Sequence, residues 1–598
     1  MNNKNIVRLS VSSLSLLLLS SCANVTEPAL CDATVTPIPQ IQGSGASSPL
    51  TGQEVTTRGI VTANWQQNEQ LGGYFIQANG NDDDNDAATS NGLFIADSES
   101  AFAATINIGD MVYLTGTVSE HNGITQLQTI SDNARCGTAQ TIAATPLTLP
   151  AAAADAFEAV EGMLVSFAQS LTVNGHYQLA RHGQFDVAPS RLYTPTQHHK
   201  PGVEAQQQAQ ANALARLVID DNQAPNPKQI NVPQPALSAT NTLRSGDIIA
   251  PVQGIMNEFN GSYRLQPTMA ITIEKANTRP LPPAPPATNT VRVAAFNVLN
   301  YFNGNGTQKT FPTDRGAKTQ AAFERQHDKI VTALSQLNAD IIGLMEIEND
   351  GYDQHSAIYT LTQALSKQTG QPWRFVRAGV GKFGDDSITN GLLYRSDRVN
   401  PEGQPITITT APFGTRSRLP LIQRFTPQNT VESLVVAVNH FKSKGSCPRD
   451  ANNPNANQND GQGCWNQVRT DSAKQLAAFI EQHPELKRHG LRVLMGDFNA
   501  YAQEDPIQAL IARGYYNRID AFNPQAYSYV YDAQAGSLDH LLVSGLLTGR
   551  VVNQAIWSIN ADEPTLLQYN NAELNDAWYA PSPYRSSDHD PVYADIQF

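Results

Sequence analysis

The sequence predicts an α+β protein in which all-β modules precede a layered α/β domain, and three observations indicate this. Residues 46–275 contain short β-branched and aromatic runs, such as "TTRGIVTANW" and "GDMVYLTGTVSE", separated by Gly, Asn and Asp. Residues 279–290, "RPLPPAPPATNT", are a proline-rich linker that cannot form a helix or a central strand. After this linker, apolar strand-like runs alternate with helical periodicity, which is typical of one α/β domain over residues 291–598.

The chain length and the net charge restrict the classes of function. A chain of 598 residues is too long for one hydrophobic core and predicts several domains. The formal net charge of -14 disfavours a protein that binds nucleic acid through its charge alone. The same charge is compatible with an enzyme in which a divalent cation supplies the positive charge at a phosphate group.

Residues 1–21 are predicted to be a leader that directs export. Lys4 and Arg8 precede the apolar run "VSSLSLLLLS", which is too short to remain as a membrane span. The run ends in "LSSC", residues 19–22, which resembles the lipobox of bacterial lipoproteins. That resemblance implies cleavage before Cys22 and a lipid on its thiol, with residues 22–45 as a tether at the outer membrane or cell surface, or release into the medium. A plain secretory signal followed by a coincidental Cys is the alternative.

Four cysteines remain when Cys22 is set aside, and an even number in an exported protein predicts disulfides. Three pairings are possible among Cys31, Cys136, Cys447 and Cys464. Cys447 and Cys464 bracket a polar loop, and closing a loop of this size stabilises the fold by roughly 3 kcal/mol. The pair Cys31–Cys136 then follows by elimination.

Residues 46–145 and 146–278 are interpreted as two related β modules, the second with a polar insertion around residues 180–240. The segment "GDMVYLTGTVSEHNGITQLQ", from residue 109, resembles the segment "GDIIAPVQGIMNEFNGSYRLQ", from residue 246, as in an internal repeat. Their size and strand density predict small Greek-key barrels of the OB type. Trp65, Tyr74 and Phe75 are candidates for stacking on single-stranded nucleic acid, with core packing as the alternative for the last two.

Polar side chains follow the apolar runs of residues 291–598 at six places. These candidates are Asn297, Glu346, Glu348, Asn439, His440, Asp497, Asn499, Asp539, His540 and the segment "SSDHDP", residues 586–591. Six polar strand ends predict one cluster at one edge of the sheets, because loops at strand ends carry function on a rigid scaffold. Carboxylates and amides suit Mg²⁺, Mn²⁺ or Ca²⁺ rather than zinc, and a histidine beside a carboxylate can take or give a proton. The cluster therefore predicts metal-assisted attack of water on a phosphate ester.

The motifs "FNVLN", "LMEIEN", "VNHFKSKG", "GDFNA", "GSLDHLLVS" and "SSDHDP", in this order, resemble the deoxyribonuclease I-like endonuclease/exonuclease/phosphatase superfamily. Together with "RQHDKIVTAL", "GCWNQVR" and the preceding OB-like region, they resemble the bacterial extracellular nucleases of that superfamily, from residue 46 to the C-terminus. The resemblance implies a four-layer α/β/β/α sandwich, with two packed sheets flanked by helices and the site at one end.

The resemblance also implies a role for each candidate in the reaction. The implied metal ligands are Glu346, Asn297 and Asp588. The implied catalytic residues are His589, its aspartate partner Asp539, the second histidine His440, and the pair Asp497 and Asn499 that orients the attacking water. Which histidine is the base and which the acid or phosphate contact stays open.

Three further residues are implied to bind substrate, namely Arg418, Asn439 and Asp386. Arg418 precedes Leu419, where the family usually has proline, and Asp386 is a candidate partner for His440. Asp590, which precedes a proline, is expected to hold its loop rather than to touch the phosphate. Two basic residues are phosphate contacts or solvated surface charges, namely Arg469 and Lys444.

The expected protein is a monomeric, metal-dependent nuclease that uses Mg²⁺ or Mn²⁺, with Ca²⁺ as a structural or co-activating ion. Its expected substrate is DNA, with RNA as an alternative, and in-line attack of water would leave a 5′-phosphate. One alternative is a phosphatase or phosphodiesterase of the same superfamily that acts on small or lipid phosphoesters. An alternative of another class is a non-catalytic surface protein that binds nucleic acid.

Overall fold

The computed structural model describes residues 29–67, 69–80, 82–98, 100–223, 232–234, 236–379, 381–571 and 574–598. The predicted leader and Cys22 lie outside these residues. In the described ranges, no helix has both the length and the apolar character needed to cross a membrane.

The first β module is a closed five-stranded barrel with the strand order β1-β2-β3-β5-β4, called the barrel below. Its strands are β1 (Glu54–Trp65), β2 (Gly73–Gln77), β3 (Gly92–Ile95), β4 (Met111–His121) and β5 (Ile124–Gly137). Alternate residues point into the barrel, where Tyr74 and Ile76 are buried, while Phe75 points outward.

The predicted tether is ordered against the barrel from residue 29 onward, which corrects the boundary drawn at residue 45. Helix α1 (Ile38–Gln42) places Ile38 and Ile41, three positions apart, in the barrel core. A disulfide joins Cys31 to Cys136 at the end of β5 with a Cα–Cα distance of 5.6 Å, as predicted. The apolar face of α1 and this crosslink hold the segment in place.

The second β module is an open nine-stranded sheet, called the second unit below, and not the second closed barrel that was predicted. Its strands are β6 (Thr145–Leu147), β7 (Leu164–Phe167), β8 (Leu171–Gly175), β9 (Phe185–Ala188), β10 (Leu217–Ile219), β11 (Ile248–Ile249), β12 (Val252–Phe259), β13 (Ser262–Pro267) and β14 (Ile273–Glu274). The polar insertion holds helices α3 (Pro195–His198) and α4 (Val203–Ala215), after the short α2 (Leu179–His182). Its strands β9 and β10 lie between β8 and β13, so the insertion widens the sheet and keeps it open.

An apolar layer joins the barrel to the second unit. Phe75 lies in this layer with Phe94 and Ile124 from the barrel and with Leu164 and Ile255 from the second unit. Trp65 contacts Phe75 edge-on, with ring centroids 5.9 Å apart. The three aromatic residues considered for stacking on nucleic acid are therefore core residues, because two sheets bury them.

The C-terminal domain contains two six-stranded sheets. The first has the order β17-β18-β16-β15-β28-β27, with β15 (Thr290–Tyr301), β16 (Ile341–Glu348), β17 (Trp373–Phe375), β18 (Ile388–Arg395), β27 (Val551–Ile556) and β28 (Val592–Gln597). The second has the order β19-β20-β21-β22-β26-β23, with β19 (Val399–Ile406), β20 (Leu421–Pro427), β21 (Leu434–His440), β22 (Leu491–Asp497), β23 (Tyr515–Asn517) and β26 (Asp539–Ser544). A separate hairpin consists of β24 (Tyr529–Tyr531) and β25 (Gln534–Gly536).

Helices cover the outer face of each sheet, so the C-terminal domain has the predicted four layers. Helices α5 (Gln320–Gln336) and α6 (Ala357–Thr369) pack on the first sheet, and α7 (Asn466–Gln482) and α8 (Asp505–Ile511) pack on the second. The short α9 (Ile519–Phe522) lies beside β27. The two sheets bury a shared core between them, formed from the alternate residues of their strands.

The second unit is fastened to the C-terminal domain by a buried ion cluster and by apolar packing. Glu563 forms ion pairs with Arg244 of the second unit and with Arg279 of the linker. Leu566 and Trp578 of the C-terminal domain lie in the hydrophobic core of the second unit. The linker has no helix and reaches its first strand only at Thr290, as predicted, but it is anchored at Arg279 rather than acting as a free spacer.

Candidate active site

The period of two along a β-strand decides which polar strand ends meet. On β22, Val493 and Met495 lie in the core between the two sheets, and Asp497 continues the same face at the strand end. The same rule places His440 on β21 and Asp539 on β26 between the sheets, and both residues pair with Asp497 in the strand register. Three predicted residues thus converge at one end of the sandwich.

The same rule corrects the prediction for Asn439 and settles the place of His540. Asn439 is fully buried on the opposite face of β21, where its Nδ2 donates to the carbonyls of Ala437 (3.0 Å) and Met495 (3.3 Å). Asn439 therefore does not reach the cluster and cannot contact substrate from this position. His540 points away too, with its Nε2 2.8 Å from the carbonyl of Ala500.

Glu346 reaches the cluster through an irregularity in β16. Met345 lies in the core between the sheets, but Ile347 lies in the core under the helices, so the alternation changes phase at Glu346. Glu346 has φ +63°, a left-handed conformation that costs a non-glycine residue on the order of 1–3 kcal/mol. Its carboxylate accepts hydrogen bonds from Asn297 Nδ2 (3.2 Å) and from the backbone N–H of Asn300 (3.1 Å). These bonds hold the strained position, and such strain is concentrated at functional sites.

Asn297 links the two sheets across the centre. Its Nδ2 also donates to Asp497 Oδ2, at 3.3 Å. The other oxygen of Asp497 accepts the backbone N–H of Asn499 at 2.8 Å, and Asn499 Nδ2 donates to the carbonyl of Phe441 at 3.2 Å. The strand ends of both sheets are therefore locked by hydrogen bonds around a shared acidic centre.

His589 is oriented by Asp539, as the resemblance implied. Nδ1 of His589 lies 2.7 Å from Asp539 Oδ2, which also accepts the hydroxyl of Ser528 at 2.7 Å. The ring of Tyr529 lies on the other side of the imidazole, with ring centroids 4.6 Å apart. Because Nδ1 is engaged by the carboxylate, Nε2 is the nitrogen left to exchange a proton.

Asp590 holds the loop of the "SSDHDP" segment, as expected. Its Oδ1 accepts the backbone N–H groups of Asn560 (2.6 Å) and Ala561 (3.3 Å). Asn560 Nδ2 in turn donates to the carbonyl of His589 at 2.6 Å. Asp590 therefore fixes the backbone on which His589 is presented and takes no part in the acidic centre itself.

Burial and neighbouring charges shift the pKa values of the centre. Burial raises the pKa of Asp497 to about 7, against the opposing effect of His589. Burial also raises the pKa of Glu346, and the nearby carboxylate of Asp588 adds to it. For His589, burial opposes the charged form, but Asp539 and Asp588 outweigh it and raise the pKa well above its ordinary value. The centre is thus an excess of negative charge that a cation would stabilise.

The donor set fits a hard divalent cation. Asp497, Asp539 and His589 offer ligand atoms that all lie within 4.8 Å of one another. Oδ1 of Asp539 is buried and has no hydrogen-bond partner. Because Asp539 and His589 are paired with each other, the carboxylates of Asp497, Glu346 and Asp588 are left to hold a cation, and their oxygens are the ligands that Mg²⁺ and Mn²⁺ prefer.

His440 faces the centre but does not pair with Asp386, which corrects that prediction. Its Nε2 lies 3.6 Å from Asp497 Oδ2 and 3.5 Å from Arg418 Nη1. Asp386 instead forms ion pairs with Arg418 and Arg315, both at 3.0 Å. Burial, and then the charge of Arg418, lower the pKa of His440 well below its ordinary value.

Two basic residues considered as phosphate contacts are structural. Arg469 is fully buried and donates to the carbonyls of Cys464 (2.7 Å) and Gln462 (2.9 Å), next to the predicted Cys447–Cys464 disulfide. Lys444 pairs with the buried carboxylate of Glu504 at 2.6 Å. Glu348, a third candidate, lies outside the cluster and accepts the backbone N–H of Asn303.

Sequence reasoning missed the hairpin β24–β25 that carries Tyr529. The second unit holds this hairpin by an ion pair between Arg216 and Asp532 (2.7 Å) and a hydrogen bond from Asn212 to Gln534 (2.7 Å). Tyr529 lies in an ordinary short strand, 60 residues before His589 in the numbering, and no motif marks the contact. For adjacent polar residues on one strand, such as Asn439 and His440, the alternation of side chains along the strand is the one sequence signal that could have shown which of them faces the centre.

A strip of positive charge adjoins His440. Arg416, Lys442 and Arg418 lie along it, and the guanidinium of Arg416 and the ammonium of Lys442 lie over the ring of Trp465, 4.7 and 5.3 Å from its centroid. Burial, and then the charges of Arg418, Arg469 and Arg416, lower the pKa of Lys442 to about 8. Arg418 is paired with Asp386, whereas Arg416 and Lys442 form no ion pair within the described residues, so an anionic ligand would stabilise these two cations.

Residues 294–589 match the model of the Endonuclease/Exonuclease/phosphatase family. The C-terminal domain is therefore a domain of this family, whose members hydrolyse phosphoesters. Residues 124–277, which cover β5 and the second unit, match the model of a domain of unknown function. A search of the curated proteins found no match.

Solved structures with likeness to this chain cover about half of it. D. rerio TDP2 complexed with a single-strand DNA product is 16% identical, with 52% of this chain and 99% of that chain covered and a TM-score of 0.33. The human Nocturnin catalytic domain with bound sulfate is 14% identical, with 52% and 96% covered and a TM-score of 0.33. The Bacteroides thetaiotaomicron mannosyl-6-phosphatase Bt3783 is 15% identical, with 52% and 100% covered and a TM-score of 0.32.

Proposed function

We propose that this protein is an exported, metal-dependent nuclease that hydrolyses phosphodiester bonds of extracellular DNA. The observation that carries the proposal is the convergence of Glu346, Asp497 and the His589–Asp539 pair at one end of the sandwich. This arrangement combines a hard cation site with an oriented imidazole, which is what hydrolysis of a phosphoester requires.

The residues divide the work of the reaction between them. Glu346, Asp588, Asn297 and Asp497 would hold Mg²⁺ or Mn²⁺, and the cation, when bound, neutralises the phosphoryl oxygens and the leaving 3′ oxygen. Asp497 and Asn499 would orient the attacking water. Departure of the 3′ oxygen would leave a 5′-phosphate on the other product.

The two histidines have different surroundings and take different roles in the proposal. A cation in the centre would offset the carboxylate charges that raise the pKa of His589 and so favour its neutral form, which would take the proton of the water at Nε2 while Asp539 stabilises the imidazolium that forms. His440 is neutral because burial and Arg418 lower its pKa, so it contacts the phosphate as a hydrogen-bonding group rather than as a cation.

The cationic strip favours a nucleic acid over a small phosphoester. Arg416 is exposed, and it lies with Lys442 against Trp465, outside the acidic centre. A single phosphate in the centre would leave these charges unused, whereas the next phosphates of a strand would neutralise them. The indole of Trp465 also offers an aromatic surface near the strand.

The leader and the disulfides support an extracellular place of action. Disulfides persist outside the cytoplasm, and the two crosslinks of this chain fit that setting. We propose anchoring by a lipid on Cys22, with the protein acting as a monomer. Treatment of cells with globomycin, which blocks cleavage of lipoprotein leaders, should then leave the uncleaved precursor in the membrane. Normal cleavage of the leader in treated cells would contradict the anchor.

Substrate assays with the purified mature protein test the function. Supercoiled plasmid, linear DNA, RNA, a small phosphate ester and phospholipid vesicles are each incubated with Mg²⁺, Mn²⁺ or EDTA. We expect DNA cleavage with Mg²⁺ or Mn²⁺ and none with EDTA, and nicking of the plasmid shows internal cleavage. Hydrolysis of the small ester or of the phospholipid, measured as released phosphate or released phosphorylated headgroup, without cleavage of either nucleic acid, would overturn the nuclease in favour of a phosphatase or phosphodiesterase.

A variant of the strip distinguishes a nucleic-acid surface from a general phosphate site. Arg416→Ala should raise the KM for DNA and reduce its salt dependence, because it removes one phosphate contact, while leaving hydrolysis of a small ester unchanged. The exposed Arg181→Ala in the second unit is the matched control. An equal effect of Arg416→Ala on both substrates would contradict the assignment of the strip.

A further inference from the structure

A second group of carboxylates lies where the barrel meets the second unit. Glu158, Glu161 and Glu258 offer carboxylate oxygens that all lie within 4.8 Å of one another. Glu120 of the barrel is close enough to raise the pKa values of Glu161 and Glu258. These four residues, called the glutamate cluster below, belong to the barrel and the second unit, whereas the acidic centre belongs to the C-terminal domain.

Glu161 is the buried member of the cluster, and one of its oxygens has no partner. The residue is 1% exposed. Its Oε1 accepts the backbone N–H of Thr125 at 3.0 Å and the Nε2 of Gln42 at 3.5 Å, both from the barrel side. Its Oε2 is buried without a hydrogen-bond partner. A buried carboxylate oxygen left unpaired is costly, so the position indicates a missing ligand.

The negative charge of the glutamate cluster is not balanced by any cationic side chain of the described residues. No lysine, arginine or histidine there forms an ion pair with any of the four glutamates, whereas other buried carboxylates of the protein, such as Glu563 and Glu504, are paired. The hydroxyl of Tyr263 donates to Glu158, and the backbone N–H of Gly261 donates to Glu258 at 2.8 Å. These neutral donors satisfy single oxygens but leave the charge in place.

We propose that Glu158, Glu161 and Glu258 bind one calcium ion that joins the segment before β7 to β12 of the second unit, at the junction with the barrel. Three carboxylates supply hard oxygen ligands, and calcium tolerates irregular sets of six to eight oxygens. Magnesium keeps several of its waters and demands near-ideal octahedral geometry, so a site with three carboxylates, one of them fully buried, suits calcium better.

The position of the cluster explains what the ion would do for the fold. Glu161 lies in a segment that makes close backbone contact with the barrel, where Ser90 donates its hydroxyl to the carbonyl of Glu161 at 2.5 Å. Gly92 lies so close to Gly162 that a Cβ on Gly92 would meet the Gly162 carbonyl carbon at 2.1 Å. Without a cation, repulsion between the carboxylates acts on the segment that makes these contacts with the barrel, and a bound ion would hold that segment in place.

Calcium titration by calorimetry on the full mature chain tests the proposal. The acidic centre also offers cation ligands, so all proteins carry Glu346→Gln to weaken that centre. We expect the E346Q protein to bind one calcium ion in its glutamate cluster, and E346Q/E161Q to lose this binding by at least ~100-fold. The exposed Glu274→Gln, added to E346Q, is the control and should leave calcium binding unchanged.

Each other result contradicts the proposal. Equal calcium binding by E346Q and E346Q/E161Q would overturn the site, as would no binding by E346Q up to about 10 mM, above the range of weak extracellular calcium sites. Magnesium binding as tight as calcium binding would overturn the choice of ion. If E346Q/E161Q does not fold by circular dichroism, Glu258→Gln takes its place with the same expectations.

Thermal unfolding gives a second readout that does not depend on catalysis. Calcium should raise the melting temperature of E346Q but not that of E346Q/E161Q, because an ion that binds only the folded state stabilises it. In the absence of calcium, the double variant should melt at the same or a higher temperature than E346Q, since a neutral amide removes repulsion. A calcium shift of equal size in both proteins would contradict the proposal.

Discussion

The acidic centre and the glutamate cluster contain similar carboxylates in opposite surroundings. In the centre, Asp497 and Asp539 lie beside His589, with Arg418 and His440 next to them. In the cluster, Glu161 has only carboxylates and neutral donors around it. The centre thus has a histidine and an arginine beside its carboxylates, whereas no cationic side chain pairs with the cluster in the described part of the chain, and this difference underlies the two different proposals.

Removal of either proposed catalytic group, His589 or Asp497, should have the largest effect and would sharpen this contrast. His589→Ala and Asp497→Ala are each expected to lower kcat by at least ~10²-fold, the usual scale for losing acid–base assistance. The measurement is the rate of plasmid nicking with saturating Mg²⁺. His121→Ala, an exposed histidine of the barrel, is the control and should cleave at the wild-type rate. Near-normal turnover in both site variants would break the assignment of the centre.

The ring that covers His589 should contribute less than the groups that react. Tyr529→Ala is expected to lower kcat about tenfold, because small displacements of a catalytic group cost up to ~10²-fold. Tyr529→Phe keeps the ring contact and should remain close to wild type. Tyr529 is a positioning residue, so its loss should change kcat more than KM. Equal losses in the alanine and phenylalanine variants would show that the hydroxyl, not the ring, is what matters.

The pH dependence of stability should distinguish the cluster from the rest of the protein. Burial, followed by the charges of Glu158, Glu258 and Glu120, raises the pKa of Glu161 from 4.5 to about 8. The folded state therefore holds this proton more tightly than the unfolded state, and its stabilising effect is complete below the ordinary pKa and disappears as the pH rises to about 8. Without metal, the free energy of unfolding of Glu161→Gln minus that of the wild type should thus increase over this range. Urea unfolding measures it, and a difference that is constant with pH would contradict the shift.

The smallest expected effect is that of a substitution in the glutamate cluster on catalysis at the acidic centre. With saturating Mg²⁺ and a chain that is fully folded, Glu161→Gln should keep kcat/KM within about twofold of wild type, the range for independent sites. Glu346→Gln, measured beside it, should lose most of its activity because a metal ligand is removed. A loss in Glu161→Gln comparable to that in Glu346→Gln would mean that the two regions are coupled and would break the comparison.

Much of the active centre was predictable because its motifs lie at strand ends. The four-layer sandwich, the disulfide pairs and the meeting of Glu346, Asp497, Asp539 and His589 agree with the sequence analysis. The errors arise where two polar residues are adjacent on one strand. Asn439 and His440 carry equal weight in a motif, but the period of two sends only His440 into the centre.

Other features depended on contacts between distant parts of the chain. The echo between the β modules predicted two barrels, but the insertion contributes β9 and β10 to the second sheet and keeps it open. From the sequence, Arg469 is expected to be a surface cation on its helix. In the structure, the loop closed by Cys447 and Cys464 buries it. Composition and spacing contain no signal for such contacts.

The sequence by itself determined the class of the C-terminal domain, the crosslinks and the types of polar residue that meet at the acidic centre, because these follow from local periodicity, residue chemistry and ordered motifs. Tertiary structure alone decided which neighbour of each polar pair enters the centre, that Tyr529 covers His589, and that Glu258 meets Glu158 and Glu161. The physical reason is that side-chain direction and long-range approach depend on how whole sheets pack, and a linear sequence records neither.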